Sequence, residues 1–210
     1  MRQIFSISGA ALLVGLSAIT VSARIPEHIQ TLLNTRQCVR CDLSGADFSR
    51  EDLSNVNLKG ANLIFSNLES ATLSASTLTG AKLRSAKLIR SNLRAARMNV
   101  TDLSEAKLRS ADLSGADLRS VRASLANFRG ALLVSAQMRG GNFREADLTE
   151  ANAQKADFFA ADLSQAILQD ADLRGADLEN ANLTGADLRG AKLEGANLKG
   201  AILTDARMPN

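Results

Sequence analysis

From Cys41 onward the apolar and polar positions of the chain repeat with a period of five. Steps of five from Leu43 to Met208 land on 25 Leu, four Phe, three Met and two Ala. Two residues before each of these 34 centres sits a small side chain, Ala in 25 cases, and Asp or Asn commonly fills the position between. Neither regular element accommodates that spacing. Five residues of α-helix turn through roughly 500°, so successive leucines would spiral around the surface. In a continuous strand an odd period sends alternate leucines to opposite faces. The small residue and the leucine two positions later do share a strand face. Each unit is therefore expected to be a short extended piece that buries both, followed by a bend. Gly, Ser, Asn and Asp near the bend are turn formers. Repetition winds the chain into a coil with its apolar groups inside.

Units such as Ala171-Asp172-Leu173-Arg174-Gly175 resemble those of the pentapeptide-repeat proteins, and the register covers residues 41–210. The resemblance implies an all-β solenoid, a right-handed four-sided β-helix with four pentapeptides per coil. On that fold the 170 residues make about 8.5 coils, a rod roughly 40 Å long at the spacing of stacked strands. One coil buries about four leucine-sized and four small side chains, so stability has to come from neighbouring coils. Departures from the pattern read as volume trades. Ala123 is small for a centre, but its partner Val121 is large; Phe143 is large, and its partner is Gly141. Ala153 falls between Phe143 and Phe158, which are expected to fill the gap. Glu51, at an inward small position, fits none of this and implies a distorted first coil or an outward side chain.

The two ends differ. In residues 24–40, Ile25, Ile29, Leu32 and Leu33 have the spacing of a short amphipathic helix, with Pro26 and Glu27 suited to its start. Its expected task is to cap the first coil, with His28 as a surface residue. At the other end the repeat runs to Met208, and Pro209 blunts the last strand edge. Otherwise that end is an open template, which leaves end-to-end pairing of two copies available. Upstream, Arg2, an uncharged stretch over 3–23 and Val21-Ser22-Ala23 read as a signal peptide cleaved after Ala23. That places the chain in a periplasm or thylakoid lumen, with a membrane contact only if the segment stays uncleaved.

Composition narrows the chemistry. There is no Trp or Tyr, one His and two Cys, so most of the usual stock of catalytic side chains is missing. Cys38 and Cys41 form a C-x-x-C pair followed by Asp42, which excludes covalent haem. A zinc site would need two further ligands. By register Cys41 is an inward small residue and Cys38 the centre of an imperfect preceding unit. A disulfide fastening cap to coil, a redox-active dithiol and a pair of inert thiols all remain open. The span TRQCVRCDLSGAD also resembles exported, cyanobacterial pentapeptide-repeat proteins, in which such a pair precedes the first repeat.

Charge is uneven: residues 82–144 sum to +9 and residues 145–210 to −6. Lys82, Arg84, Lys87, Arg90, Arg94 and Arg97 have no acid among them and are candidates for anion binding, spread as a belt over all four sides. The Asp/Asn column lacks the glycine-rich nonapeptide of calcium-binding β-helices and reads as solvated turn residues. Outward apolar positions are Ile64, Phe65, Ile89, Leu125, Leu132, Val134, Phe159, Ile167 and Ile202. No cofactor motif is present, and the basic middle argues against nucleic acid mimicry of the kind by which some members of the family inhibit DNA gyrase. The expected function is a non-enzymatic interaction protein with an unidentified protein partner. Thiol–disulfide exchange through Cys38 and Cys41 is the alternative.

Overall fold

The computed structural model describes residues 26–210; the leader expected over residues 1–23 lies outside them. Helix α1 spans Pro26–Thr35 and buries Ile29 and Leu32, with Leu33 packed against the same core. It stops where Arg36 turns left-handed at φ 59° and donates its N–H back to the Leu32 carbonyl at 2.9 Å, closing the last turn.

Beyond α1 the backbone winds into four parallel ladders, one on each side. Every bridge from Gln37↔Asn57 to Asp187↔Arg207 joins residues 20 apart, so one coil is four pentapeptides and the cross-section has four sides. The unit centred on Cys38 already belongs to the ladder, one unit before Cys41.

The hydrogen bonds explain why five residues suffice. In the unit around Leu63, the Leu63 N–H donates to the Lys82 carbonyl of the next coil and the Asn62 N–H to the Cys41 carbonyl of the previous one. Phe65 N–H reaches the Arg84 carbonyl, and Ser66 N–H closes the turn onto the Leu63 carbonyl. That leaves one backbone donor per unit, on the residue after the leucine. Where Asp or Asn precedes the leucine, its side-chain oxygen accepts that N–H, as Asp42 does from Ser44 at 3.1 Å and Asp162 from Ser164 at 3.0 Å. From residue 42 on, 21 of the 34 units carry Asp or Asn there. All of them make this bond, so the column is a set of turn caps.

Each corner needs a left-handed residue in third place, and every fifth position from Arg40 to Asp205 has positive φ. Glycine fills only 11 of these positions. The others are L-residues held there by ladder bonds on both sides, among them the β-branched Val100 at φ 60°.

Inside, the centres from Leu43 to Leu188 are essentially inaccessible to solvent. The expected volume trades are stacked trades. Phe143 and Gly141 lie one coil above Ala123 and Val121, as the 20-residue step requires. A Cβ on Gly141 would come within 2.6 Å of the Phe143 ring and 3.1 Å of a Val121 methyl. Phe143 also packs between Phe128 and Phe158, with centroids 5.9 and 5.7 Å away. Glu51 does not distort the first coil. Its N–H keeps the turn bond to the Phe48 carbonyl and its carbonyl accepts the ladder bond from the Thr72 N–H, and the residue stays partly exposed. In the last coil the centres open toward solvent, with Leu203 37% and Met208 38% exposed.

Candidate functional site

Cys38 and Cys41 are joined in a disulfide, with Cα atoms 5.3 Å apart. Their relative exposures of 1% and 7% put the bond beneath α1, where the cap meets the first coil. The Cys38 sulfur lies 3.2 Å from the His28 carbonyl oxygen, and the Asp42 N–H donates to His28 Nδ1 at 3.1 Å. His28, expected at the surface, is partly buried and belongs to this joint. One helical turn separates it from Leu32, so the helix face that packs on the coil carries it inward. Asp42 is held below the usual carboxylate range chiefly by the Ser44 hydroxyl and N–H, with Asn62 and His28 adding to the effect.

The six belt cations do not converge. Arg84, Arg90 and Arg94 stand at corners and pair with Glu105, Glu69 and Asp112. Lys82, Lys87 and Arg97 stand on three different sides, each in the position that elsewhere holds the capping Asp or Asn. None of these three has a carboxylate within ion-pair distance among the described residues, and residues 1–25 contain no acid. Lys107 stacks on Lys87 in the next coil, and Arg109 follows two residues later at the corner. Both are exposed, and neither forms an ion pair among the described residues. The belt therefore resolves into three locally neutralised corners and three separate cations unpaired among the described residues, of which Lys87 is continued by Lys107 and Arg109 into a basic strip.

In the acidic part carboxylates at these positions are closed. Asp172 and Asp187 each cap their turn and also take a two-pronged bond from the arginine two residues on, Arg174 and Arg189, as Asp117 does from Arg119 within the basic part. The Arg174 fork holds Asp172 down to about 2 against the opposing push of burial, and Arg189 depresses Asp187 further. These carboxylates are committed to the fold.

Sequence reasoning missed two exposed apolar residues. Val39 is 49% and Val100 50% exposed, on a single corner. Val39 precedes the first repeat of the register, whereas Val100 stands at the same turn position as Phe65 and Leu125 and was legible by the same rule. With Arg40, Lys59, Gly60, Thr79 and Gly80 they line a groove of about 480 Å³.

A four-sided solenoid whose outward surface is charged and whose inward surface is leucine and alanine defines a class, the β-helical repeat proteins. The pentapeptide-repeat family profile matches in 8 copies over residues 37–74, 86–122, 126–165 and 166–205, and the chain belongs to that family. The family fold, a right-handed four-sided β-helix, is the architecture described above. No curated protein matches the chain. Among solved structures it is similar to HetL, a pentapeptide repeat protein involved in heterocyst differentiation regulation from the cyanobacterium Nostoc sp. strain PCC 7120. Identity there is 32% over 89% of this chain and 97% of that one, with a TM-score of 0.48. A pentapeptide repeat protein of the Arabidopsis thaliana thylakoid lumen is 28% identical over 51% of this chain and 72% of its own, with a TM-score of 0.47. A variant of QnrB1, a plasmid-mediated fluoroquinolone resistance protein, is 23% identical over 74% and 85%, with a TM-score of 0.48.

Proposed function

We propose that this chain is a non-enzymatic interaction protein of an exported compartment, a rod of about 8.5 coils that holds a partner protein on its side. One observation carries the reading. At Lys82, Lys87, Arg97 and Lys107 a cation replaces the residue that caps the turn, so the N–H groups of Arg84, Ile89, Asn99 and Arg109 lose their side-chain acceptor. The fold gains nothing from that exchange, whereas an outward surface used for recognition does. The leader-like residues 2–23 support the compartment, and a buried disulfide at the cap suits an oxidising one.

Cross-linking of the tagged protein in its own compartment tests the reading. The Lys82→Glu, Lys87→Glu, Arg97→Glu and Lys107→Glu variant is expected to lose the partner that the parent retains. Capture of the same partner by both proteins would refute it. The expected N-terminus at Arg24 is read by intact mass spectrometry. Thiol exchange is the weaker reading, since Cys38 and Cys41 are almost inaccessible and α1 would have to lift before a thiolate could attack the bond.

A further inference from the structure

The groove at the corner that carries Val39 and Val100 has features the fold does not require. Four successive coils build it, contributing Val39-Arg40, Lys59-Gly60, Thr79-Gly80 and Asn99-Val100. Gly60 and Gly80 hold the left-handed turn position, and the corner is bare at Gly80, where an added Cβ would meet nothing within 4 Å. The rod tolerates L-residues at this turn position in 23 other units, so glycine here is not dictated by φ alone. At one end Val100 is worse than neutral for the backbone, because a β-branched residue at φ 60° is strained. Its side chain is half exposed and fills no part of the core, so packing does not explain it.

The groove also has a charge. Arg40 and Lys59 are exposed at its Val39 end, and neither takes part in an ion pair among the described residues. The Arg40 stem lies over Gly60, its Cγ 3.3 Å from where a Cβ would stand. A second stacked glycine pair, Gly175 and Gly195, shows what a corner without these features looks like. It is flanked by Gln154, Lys155, Arg174 and Glu194, with no apolar wall, and its charges are offset locally, Arg174 being paired with Asp172 and Lys155 standing near Glu194's corner. Three coil steps of roughly 4.8 Å make the groove about 14 Å long, the reach of about four residues of extended peptide.

We propose that this corner binds an extended segment of the partner protein, with a large apolar side chain between Val39 and Val100 and an adjacent carboxylate on Arg40 and Lys59. The inference rests on the interaction-protein reading and gives it a recognition site apart from the basic strip. The probe is a displayed library of random octapeptides, selected on the full-length protein. The most enriched peptide is then synthesised, measured by fluorescence anisotropy and mapped by ¹⁵N chemical shifts. The expected winners pair Asp or Glu with Leu, Ile or Phe and shift the amides of Gly60, Thr79, Gly80 and Val100. Gly80→Asn keeps a left-handed residue and fills the groove, and the Arg40→Gln, Lys59→Gln pair removes the charge; each is expected to weaken binding at least tenfold. Val100→Asn is expected to weaken binding while raising the melting temperature by about 2–4 °C through relief of strain.

That opposite movement separates recognition from a structural role. A Val100→Asn protein that binds as tightly as the parent overturns the proposal, as does enrichment of peptides without a carboxylate or of none above a blank. Peptides that shift Lys87 and Lys107 instead overturn the groove and leave the interaction reading standing. Shifts at the groove with decanoate but with no peptide would mean a lipid-like ligand, which also overturns it. The cross-linking experiment fails or succeeds independently of all these outcomes.

Discussion

Residues 66–107 and residues 161–197 share one backbone and one leucine column yet differ in most other positions. In the later stretch every inward small residue is alanine, and Asp or Asn caps six of the eight turns that follow the bridge positions from 162 to 197. In the earlier stretch Ser66, Ser76, Ser91 and Thr101 are buried at the small positions, and only Asn67, Asn92 and Asp102 cap. Ser91 and Thr101 donate to the carbonyls of Leu88 and Leu78, whereas the hydroxyls of Ser66 and Ser76 have no partner. The difference separates two jobs. The ladder and the leucines hold the coil together wherever they occur, and the remaining positions set local stability against surface character. The middle of the rod gives up caps and gains cations.

The largest effect tests the shared part of this picture. Leu93→Ala and Leu178→Ala each remove a fully buried centre and should each cost about 3 kcal/mol in urea unfolding. A loss at Leu93 much smaller than at Leu178 would mean that the middle is loosely packed as well as poorly capped. Next in size is restoration of the caps. Lys82→Asn, Lys87→Asn, Arg97→Asn and Lys107→Asn together should stabilise the middle by about 2 kcal/mol, on the order of 0.5 for each recovered bond. Hydrogen exchange resolved by peptide should show that gain in residues 81–110 and leave 161–200 unchanged. Ser76→Ala should add about 1 kcal/mol by removing an unpaired buried hydroxyl, an effect with no counterpart at Ala176.

The smallest effect runs the other way and depends on pH. Asp172 and Asp187 titrate lower in the folded chain than in the unfolded one, because Arg174 and Arg189 favour their charged forms. Their contribution is complete above about pH 4 and fades as pH falls toward 2. Pulse proteolysis with pepsin between pH 4 and pH 2 should therefore find the acidic stretch losing protection faster than the middle. Equal loss in both would show that the two forks add nothing to local stability.

Much of this was legible because it depends on spacing alone. The period of five, the inward leucines, the cap helix and the pairing of small with large around Ala123 and Phe143 all follow from which side chains must leave water. The role of the Asp and Asn column was not legible. Their carboxyl and carboxamide oxygens matter because one N–H per unit has no partner in the ladder, and which one is left over emerges only when coils stack. The six-cation belt looked uniform in sequence and proved to be three corner ion pairs and three cations without an ion pair among the described residues, since partners such as Glu69 and Glu105 approach across a coil step of about 20 residues.

The chain's sequence by itself determined the coil, because a period that fits neither helix nor strand leaves a bend in every unit as the way to bury every leucine. Only the tertiary structure decided what the outside of the coil offers. Val39, Lys59, Gly80 and Val100 are spread over 62 residues and become one groove because each turn of the backbone returns to the same corner after 20. His28 and Asp42 meet for a related reason, since the helix face that covers the first coil also carries the imidazole to its edge. Local patterns record what each residue avoids, and packing between distant residues decides what it touches.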